Sequence, residues 1–244
     1  MFGNLSLQLF IFGIDRMKIF DLERQSLREL NAELQKQSTR MTHQKWKILN
    51  PNGSHAIAVG INSQIEVNIE GSAGYYCGGM NQKANIIIEG NAGTGLGENM
   101  MSGTIHVKGN VSQSAGATAH GGTIIVEGDA SSRCGISMKV ADIIVKGSVG
   151  HMSGFMAQKG TLLICKDAGE ALGDSIYETV IYVAGKIKSL GADCIEKKMN
   201  KTDHKKILSL LKKGNIKNLE PKNFKKFGSA RKLYNFNVDN VSDY

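Results

Sequence analysis

Three groups of residues in this chain have types that do chemistry elsewhere. The first is GTGLG, where Gly93, Gly95 and Gly97 follow the apolar run NIII. A phosphate-cradling loop opens that way, with glycines after a strand and a helix behind them. The dinucleotide version needs another glycine three places after Gly95, and Glu98 stands there instead. The second group is the four cysteines, Cys77, Cys134, Cys165 and Cys194, which offer thiolates or metal ligands but contain no C-x-x-C pair. The third is the carboxylates Glu98 and Asp174 together with histidines at 43, 55, 106, 120, 151 and 204. What any of these can do depends on the elements that hold them.

Those elements come from an internal repeat. From Glu66 the chain falls into lines of nineteen: EVNIEGSAGYYCGGMNQKA, NIIIEGNAGTGLGENMMSG, TIHVKGNVSQSAGATAHGG and four more. The sixth place holds Gly71, Gly90, Gly109, Gly128, Gly147 and Gly185, with Lys166 as the one departure. The thirteenth holds Gly78, Gly97, Gly116, Gly135, Gly154 and Gly173, and in the seventh line Gly191 has slipped by one. A phosphate loop occurs once, whereas a glycine recurring every nineteen residues serves a bend whose φ or crowding only glycine accepts. Within GTGLG, Gly93 and Gly97 are repeat positions and Gly95 is extra.

Each line opens with period-two alternation, and places two and four carry Val67/Ile69, Ile86/Ile88, Ile105/Val107, Ile124/Val126 and their successors. A strand facing a core reads this way. One such line cannot bury its apolar side alone, but stacked copies can. The expectation is an all-β fold: a right-handed parallel β-helix of about seven coils over 66–198, roughly 34 Å long at the spacing of paired strands. Trp46 to Gly60 reads as an eroded coil before the first. Stacking separates the chemical candidates. Cys77 and Cys134 lie three coils apart, roughly 14 Å, too far for a disulfide. Glu98 and Asp174 lie four coils apart, roughly 19 Å, outside the range of a glycosidase pair. The histidines have no ligand spacing. No catalytic residue, cofactor loop or metal site is expected.

What remains is surface. Place three should face outward, yet it includes Ile87, Ile125, Ile144 and Leu163. So apolar a stripe needs a cover, either the chain's own ends or a partner. The least repetitive segments, late in each line, carry Met100, Met101, Arg133, Met138, Lys139, Phe155, Met156, Gln158 and Asp174. They are either a subunit contact, since Met-rich faces often bind partners, or simply the closure of each coil.

The ends differ from the middle. Residues 26–37 read as a helix with a Ser26/Glu29 capping box and Leu27, Leu30 and Leu34 on one face. Residues 202–213 read as a second helix, with Thr202 as N-cap and Gly214 just past its end. In the tail, Leu233, Phe236 and Val238 offer anchors. The organisation is thus 1–46 as an N-terminal extension, 47–198 as the repeat and 199–244 as a basic helix and tail. Met17 offers an alternative start, which would put 1–16 upstream of the protein. Charge is uneven: residues 197–232 hold thirteen Lys or Arg against Asp203 and Glu220, a local +11, while the whole chain is +8. Such a stretch is a solvated basic face, or meets nucleic acid, an acidic membrane or an acidic protein partner. No apolar run is long enough for a membrane span, and the cysteines fit a reducing compartment.

The segments YYCGGMNQ, GNAGTGLGENMMSG, RCGISMK, FMAQKG and LGDSIYE, with the ending FGSARKLYNFNVDN, resemble the GXGXG domain family. That domain closes the glutamate synthase large subunit and also occurs as a stand-alone subunit of glutamate-synthase-like complexes such as N-methylglutamate synthase. The resemblance implies a cytoplasmic, non-catalytic scaffold. Its partners would be a glutamine-amidotransferase-like subunit and a subunit carrying FMN, with an iron–sulfur cluster there as a further candidate, and no nucleic acid or membrane. An ammonia-assimilating complex, or an independent polysaccharide-active β-helix enzyme, is the competing expectation.

Overall fold

The computed structural model of the chain describes residues 17–37 and 44–231. Nine strands run parallel in sequence order: β1 (Met17–Asp21), β2 (Lys45–Leu49), β3 (Glu66–Ile69), β4 (Asn85–Ile88), β5 (Thr104–Val107), β6 (Thr123–Val126), β7 (Asp142–Val145), β8 (Thr161–Ile164) and β9 (Val180–Val183). From β3 to β9 every residue pairs with the one nineteen further on, as in Val67↔Ile86 and Ile124↔Ile143. The molecule is a parallel β-solenoid, one coil per line of sequence. β2 pairs Trp46 with Val67, so the Trp46 segment is a coil before the first. A second ladder of single bridges joins place eight of adjacent coils, from Ala73↔Ala92 to Ala168↔Ile187. The seventh coil is one residue short. Leu172 pairs with Leu190, eighteen on, which is the slip seen at Gly191.

Places two, four, eight, twelve and sixteen face the core. Val67, Ile86, Ile105, Ile124, Ile143, Leu162 and Ile181 are all 1% exposed or less. Burying each such side chain is worth about 1.5–3 kcal/mol, and stacking supplies that burial on both sides of every coil.

The two glycine columns serve different needs. At place thirteen φ is +63° to +74°, and a side chain would also point inward. A Cβ on Gly97 would lie 3.0 Å from the Cδ1 atoms of both Ile105 and Ile124. Places eleven and fifteen are left-handed too, at Tyr76, Gly95, Ser114, Arg133 and Met152 and at Met80, Asn99, Thr118 and Met156. They accept side chains because they face away from the core. This alternation turns successive amides in opposite directions. The Tyr76 and Met80 N–H groups donate to the following coil (Thr94 O, Glu98 O, both 2.8 Å), and Gly97 N–H donates back to Cys77 O (2.9 Å). Gly95, extra by the repeat, occupies the left-handed eleventh place.

Place six is a matter of crowding. A Cβ on Gly109, Gly128, Gly147 or Gly185 would overlap the side-chain oxygen of Asn91, Asn110, Asp129 or Asp167 in the coil before. Those oxygens form a continuous ladder that the repeat reading passed over. Ser72 accepts Asn91 N–H (3.0 Å), Asn91 accepts Asn110 N–H (2.8 Å), Asn110 accepts Asp129 N–H (2.8 Å), and Asp129 accepts Ser148 N–H (2.7 Å). Ser148 continues it to Asp167 (3.3 Å), and Asp167 to Lys186 (2.7 Å). Lys166 breaks this column, and its own N–H still donates to Gly147 O at 3.1 Å.

Both ends are closed. The helix α1 (Leu27–Lys36) has the expected capping box, with Ser26 N–H donating to Glu29 at 2.8 Å and Glu29 N–H to Ser26 Oγ at 3.3 Å. Leu30 and Leu34 lie in the core beside Phe20, Trp46 and Ile57. Asn31 and Gln35 donate to the Ala56 and Val59 carbonyls at 2.8 and 2.9 Å. At the other end β10 (Cys194–Lys197) is followed by α2 (Lys201–Lys213), and then by β11 (Lys225–Ser229), which inserts antiparallel between β9 and β10. Two helix boundaries differ from expectation. Asn200, not Thr202, is the N-cap of α2, accepting from Thr202 N–H (2.8 Å) and Asp203 N–H (3.0 Å). Gly214 is right-handed (φ −77°) and Asn215 takes the left-handed turn (φ +51°). Leu233, Phe236, Val238 and residues 1–16 lie outside the described residues.

Candidate subunit interface

The solenoid presents a sheet face, an edge made by the Asn/Asp/Ser ladder, and a turn face built from the late places of each coil. On the sheet face, place three forms the outward column. Ile125, Ile144, Leu163 and Tyr182 are 0–7% exposed because α2 lies on them with Ile207, Leu210 and Leu211, joined by Phe224. The sequence left two covers open for this column, the chain's own ends or a partner; the structure shows the first, which removes Ile125, Ile144 and Leu163 from the partner-contact candidates. The chain's own helix occupies them, and only Ile87, beyond that helix, remains half-buried.

Charge fixes the helix in place. Asp203 accepts from Tyr182 Oη at 2.7 Å and pairs with Lys226 at 2.8 Å. Burial would raise its carboxyl, but the bonds from Lys226, Tyr182 and Asn200 N–H outweigh that and hold it below the ordinary range. The same burial and the Asp203 neighbour push the Tyr182 phenol up. Asp142, at the start of β7, takes Lys206 at 2.7 Å and Lys213 at 3.0 Å. Farther along the sheet, Glu127 sits between His106 and Lys146, both at 2.6 Å. Burial acts to raise it, and the hydrogen bonds with Lys146 and His106 bring it below the usual value.

The turn face divides the remaining candidates. Met100 and Met138 are fully buried, which corrects their assignment to a contact surface. They occupy place sixteen, an inward column shared with Ala119, Ala157 and Ile176. Met101 is 49% and Met156 44% exposed. Arg133 and Gln158 are exposed, and Lys139, Phe155 and Asp174 are half-buried. Asp174 is engaged at home, accepting from Ser175 Oγ (2.7 Å) and Ala192 N–H (3.2 Å). The same face exposes Tyr75, Met80, Val140 and Tyr177, which sequence reasoning missed. Each lies at place ten, fifteen, seventeen or eighteen of its coil, outside the inward twelfth and sixteenth. Tyr75 also stacks on His55 with ring centroids 4.4 Å apart.

Burial disfavours the thiolate at all four cysteines. Burial pushes the Cys77 and Cys134 thiols up to about 12. Burial likewise raises Cys165 and Cys194 to about 11. Among the described residues no cluster of three or more His, Cys, Asp or Glu could hold a metal ion, and no helix is long and apolar enough to cross a membrane.

A solenoid with one glycine column for φ and another for close stacking defines a class of chain. The GXGXG motif family model matches residues 47–237, and the chain belongs to that family as a glutamate-synthase-like GXGXG protein. It is 50% identical over 228 residues to Protein GlxC of Rhizobium meliloti (strain 1021), covering 93% of this chain and 100% of GlxC. No solved structure matches it.

Proposed function

We infer that this chain is a non-catalytic scaffold subunit of a glutamate-synthase-like, FMN-dependent complex, with N-methylglutamate synthase as the favoured member. In that reading the FMN, and any iron–sulfur cluster, sit on a partner, and an amidotransferase-like subunit is the third component. The observation that carries it is the set of exposed large apolar side chains in the turn segments, Tyr75, Met80, Met101, Val140, Met156 and Tyr177, each 38–57% exposed, on a rod whose coils are hydrogen-bonded to one another throughout. Large apolar side chains gathered on a rigid surface suit a protein contact, and flexible methionines suit it further. Four free cysteines go with a cytoplasmic location.

The test is purification alone and with the two subunits. Alone, the chain is expected to be colourless and to release no ammonia from glutamine. With both partners, the complex forms and consumes methylamine and glutamate in preference to ammonia. A stoichiometric chromophore on the isolated chain overturns the scaffold reading. Ammonia preference overturns only the choice of N-methylglutamate synthase.

A further inference from the structure

The structure pairs six basic residues of this stretch and leaves others, Lys198 and Lys217 among them, exposed without an ion pair among the described residues. Lys206, Lys213 and Lys226 are spent inside the molecule on Asp142 and Asp203, and Lys222, Lys225 and Arg231 pair with Glu220, Glu196 and Asp193. Lys201, Lys205 and Lys212 are exposed and make no ion pair among the described residues. At 100° per residue they fall, with Leu208, within an arc of about 60°, directly opposite the face formed by Asp203, Ile207 and Leu210. The ridge spans roughly 16 Å along the helix. Leu208 in its middle is 55% exposed.

The fold gives this ridge no internal purpose. Lys201 is the first residue of α2, where the helix dipole disfavours a cation. Lys201 and Lys205 are like charges four apart, which repel by a few tenths of a kcal/mol. We propose that Lys201, Lys205, Leu208 and Lys212 are the docking site for an acidic face of a partner protein. The proposal rests on the scaffold reading and names which surface meets one partner.

The chemistry favours protein over the other polyanions. Nucleic-acid backbones are best gripped by guanidinium forks and stacking aromatics. The ridge has neither, and it carries an exposed leucine at its centre. A membrane-surface helix needs a free apolar face, and the apolar face of α2 is already against Ile125, Ile144 and Leu163.

The experiment uses the full chain and the purified FMN-bearing and amidotransferase-like subunits, with affinity measured from about 50 mM to about 0.5 M salt, across which charge screening becomes short-ranged. Combined Lys201→Glu, Lys205→Glu and Lys212→Glu should weaken capture of one subunit by about tenfold or more at low salt, the gap closing as salt rises. The same variant should melt close to wild type, because positions 201 and 205 remain like-charged and the gain of a carboxylate at the helix start is offset by its cost in the last turn. Leu208→Ala should weaken capture several-fold at every salt concentration. If wild type binds a subunit and the triple variant binds it equally at all salt concentrations, the docking assignment fails while the scaffold reading stands. If wild type binds neither subunit, both fail. Unchanged capture of the subunits, with lost binding to duplex DNA or phosphatidylserine vesicles, also overturns the assignment.

Discussion

The side chain of Asn110 accepts the backbone N–H of Asp129, nineteen residues on, at 2.8 Å. It does for the next coil what Asn91 does for its own. Replacing Asn110 by Ala is expected to destabilise the rod by about 0.5–1.5 kcal/mol, the net worth of one such bond, with the freed N–H turning to water. Urea unfolding measures it. An unchanged midpoint would mean that the ladder decorates the edge without holding it.

The GTGLG segment offers an internal comparison. Gly97 is left-handed (φ +63°) and faced by two isoleucines, so Gly97→Ala adds overpacking, typically 1–3 kcal/mol, to a left-handed cost of about 1–2 kcal/mol. Gly95 is left-handed (φ +72°), but a Cβ there would crowd only the flexible end of Glu98, with Tyr76 at ordinary contact distance, and Ala171 already occupies the matching place at φ +53°. Gly95→Ala should therefore cost about half as much or less. Thermal melting of the two variants decides it, and equal losses would refute the separation of inward and outward places.

The period of nineteen was legible because places two and four must be apolar in every coil, as at Ile86 and Ile88 or Ile124 and Val126. The ladder through Asn91, Asn110 and Asp129 was present as a column but passed unnoticed. Its residue types vary, and their shared task, accepting a backbone N–H one coil away, exists only once the coils are stacked. Met100 and Met138 were misread for a local reason. Left-handed residues at places eleven, thirteen and fifteen re-aim the chain, so place sixteen points inward, a geometry no simple alternation announces. The antiparallel return of β11 had no sequence signal, since KKFGS contains only Phe227 as a core residue.

Ile125 tests what covers the sheet face. Ile125→Glu places a carboxylate under α2, and an unpaired buried charge costs several kcal/mol. The expected outcome is release of α2 with the coils intact: faster hydrogen exchange and trypsin cleavage at Lys205 and Lys206, and little loss of β-structure by circular dichroism. Wild-type protection of the helix would show that α2 does not depend on this column.

Acid should act on the same helix through Asp203. Its folded carboxyl is held below the usual value, so its contribution is complete above the unfolded range near pH 4 and is lost as pH falls through the folded value. Protease cleavage of α2 should rise between about pH 5 and the acid limit. Asp203→Asn should be cleaved faster at neutral pH and show less of that rise. An identical acid profile in wild type and variant would exclude Asp203 as the titrating group.

Because β3 to β9 pair at a constant offset of nineteen, the length of this rod is quantised. Duplicating any whole line between Thr104 and Gly160 would lift one end away from the other by about 4.8 Å without altering a single inward column. Growth at the tips is barred, by α1 at one end and by the reversed β11 at the other. Lengthening by internal tandem duplication therefore proceeds in whole coils, and the distance between whatever is held at the two ends changes by steps of one strand spacing.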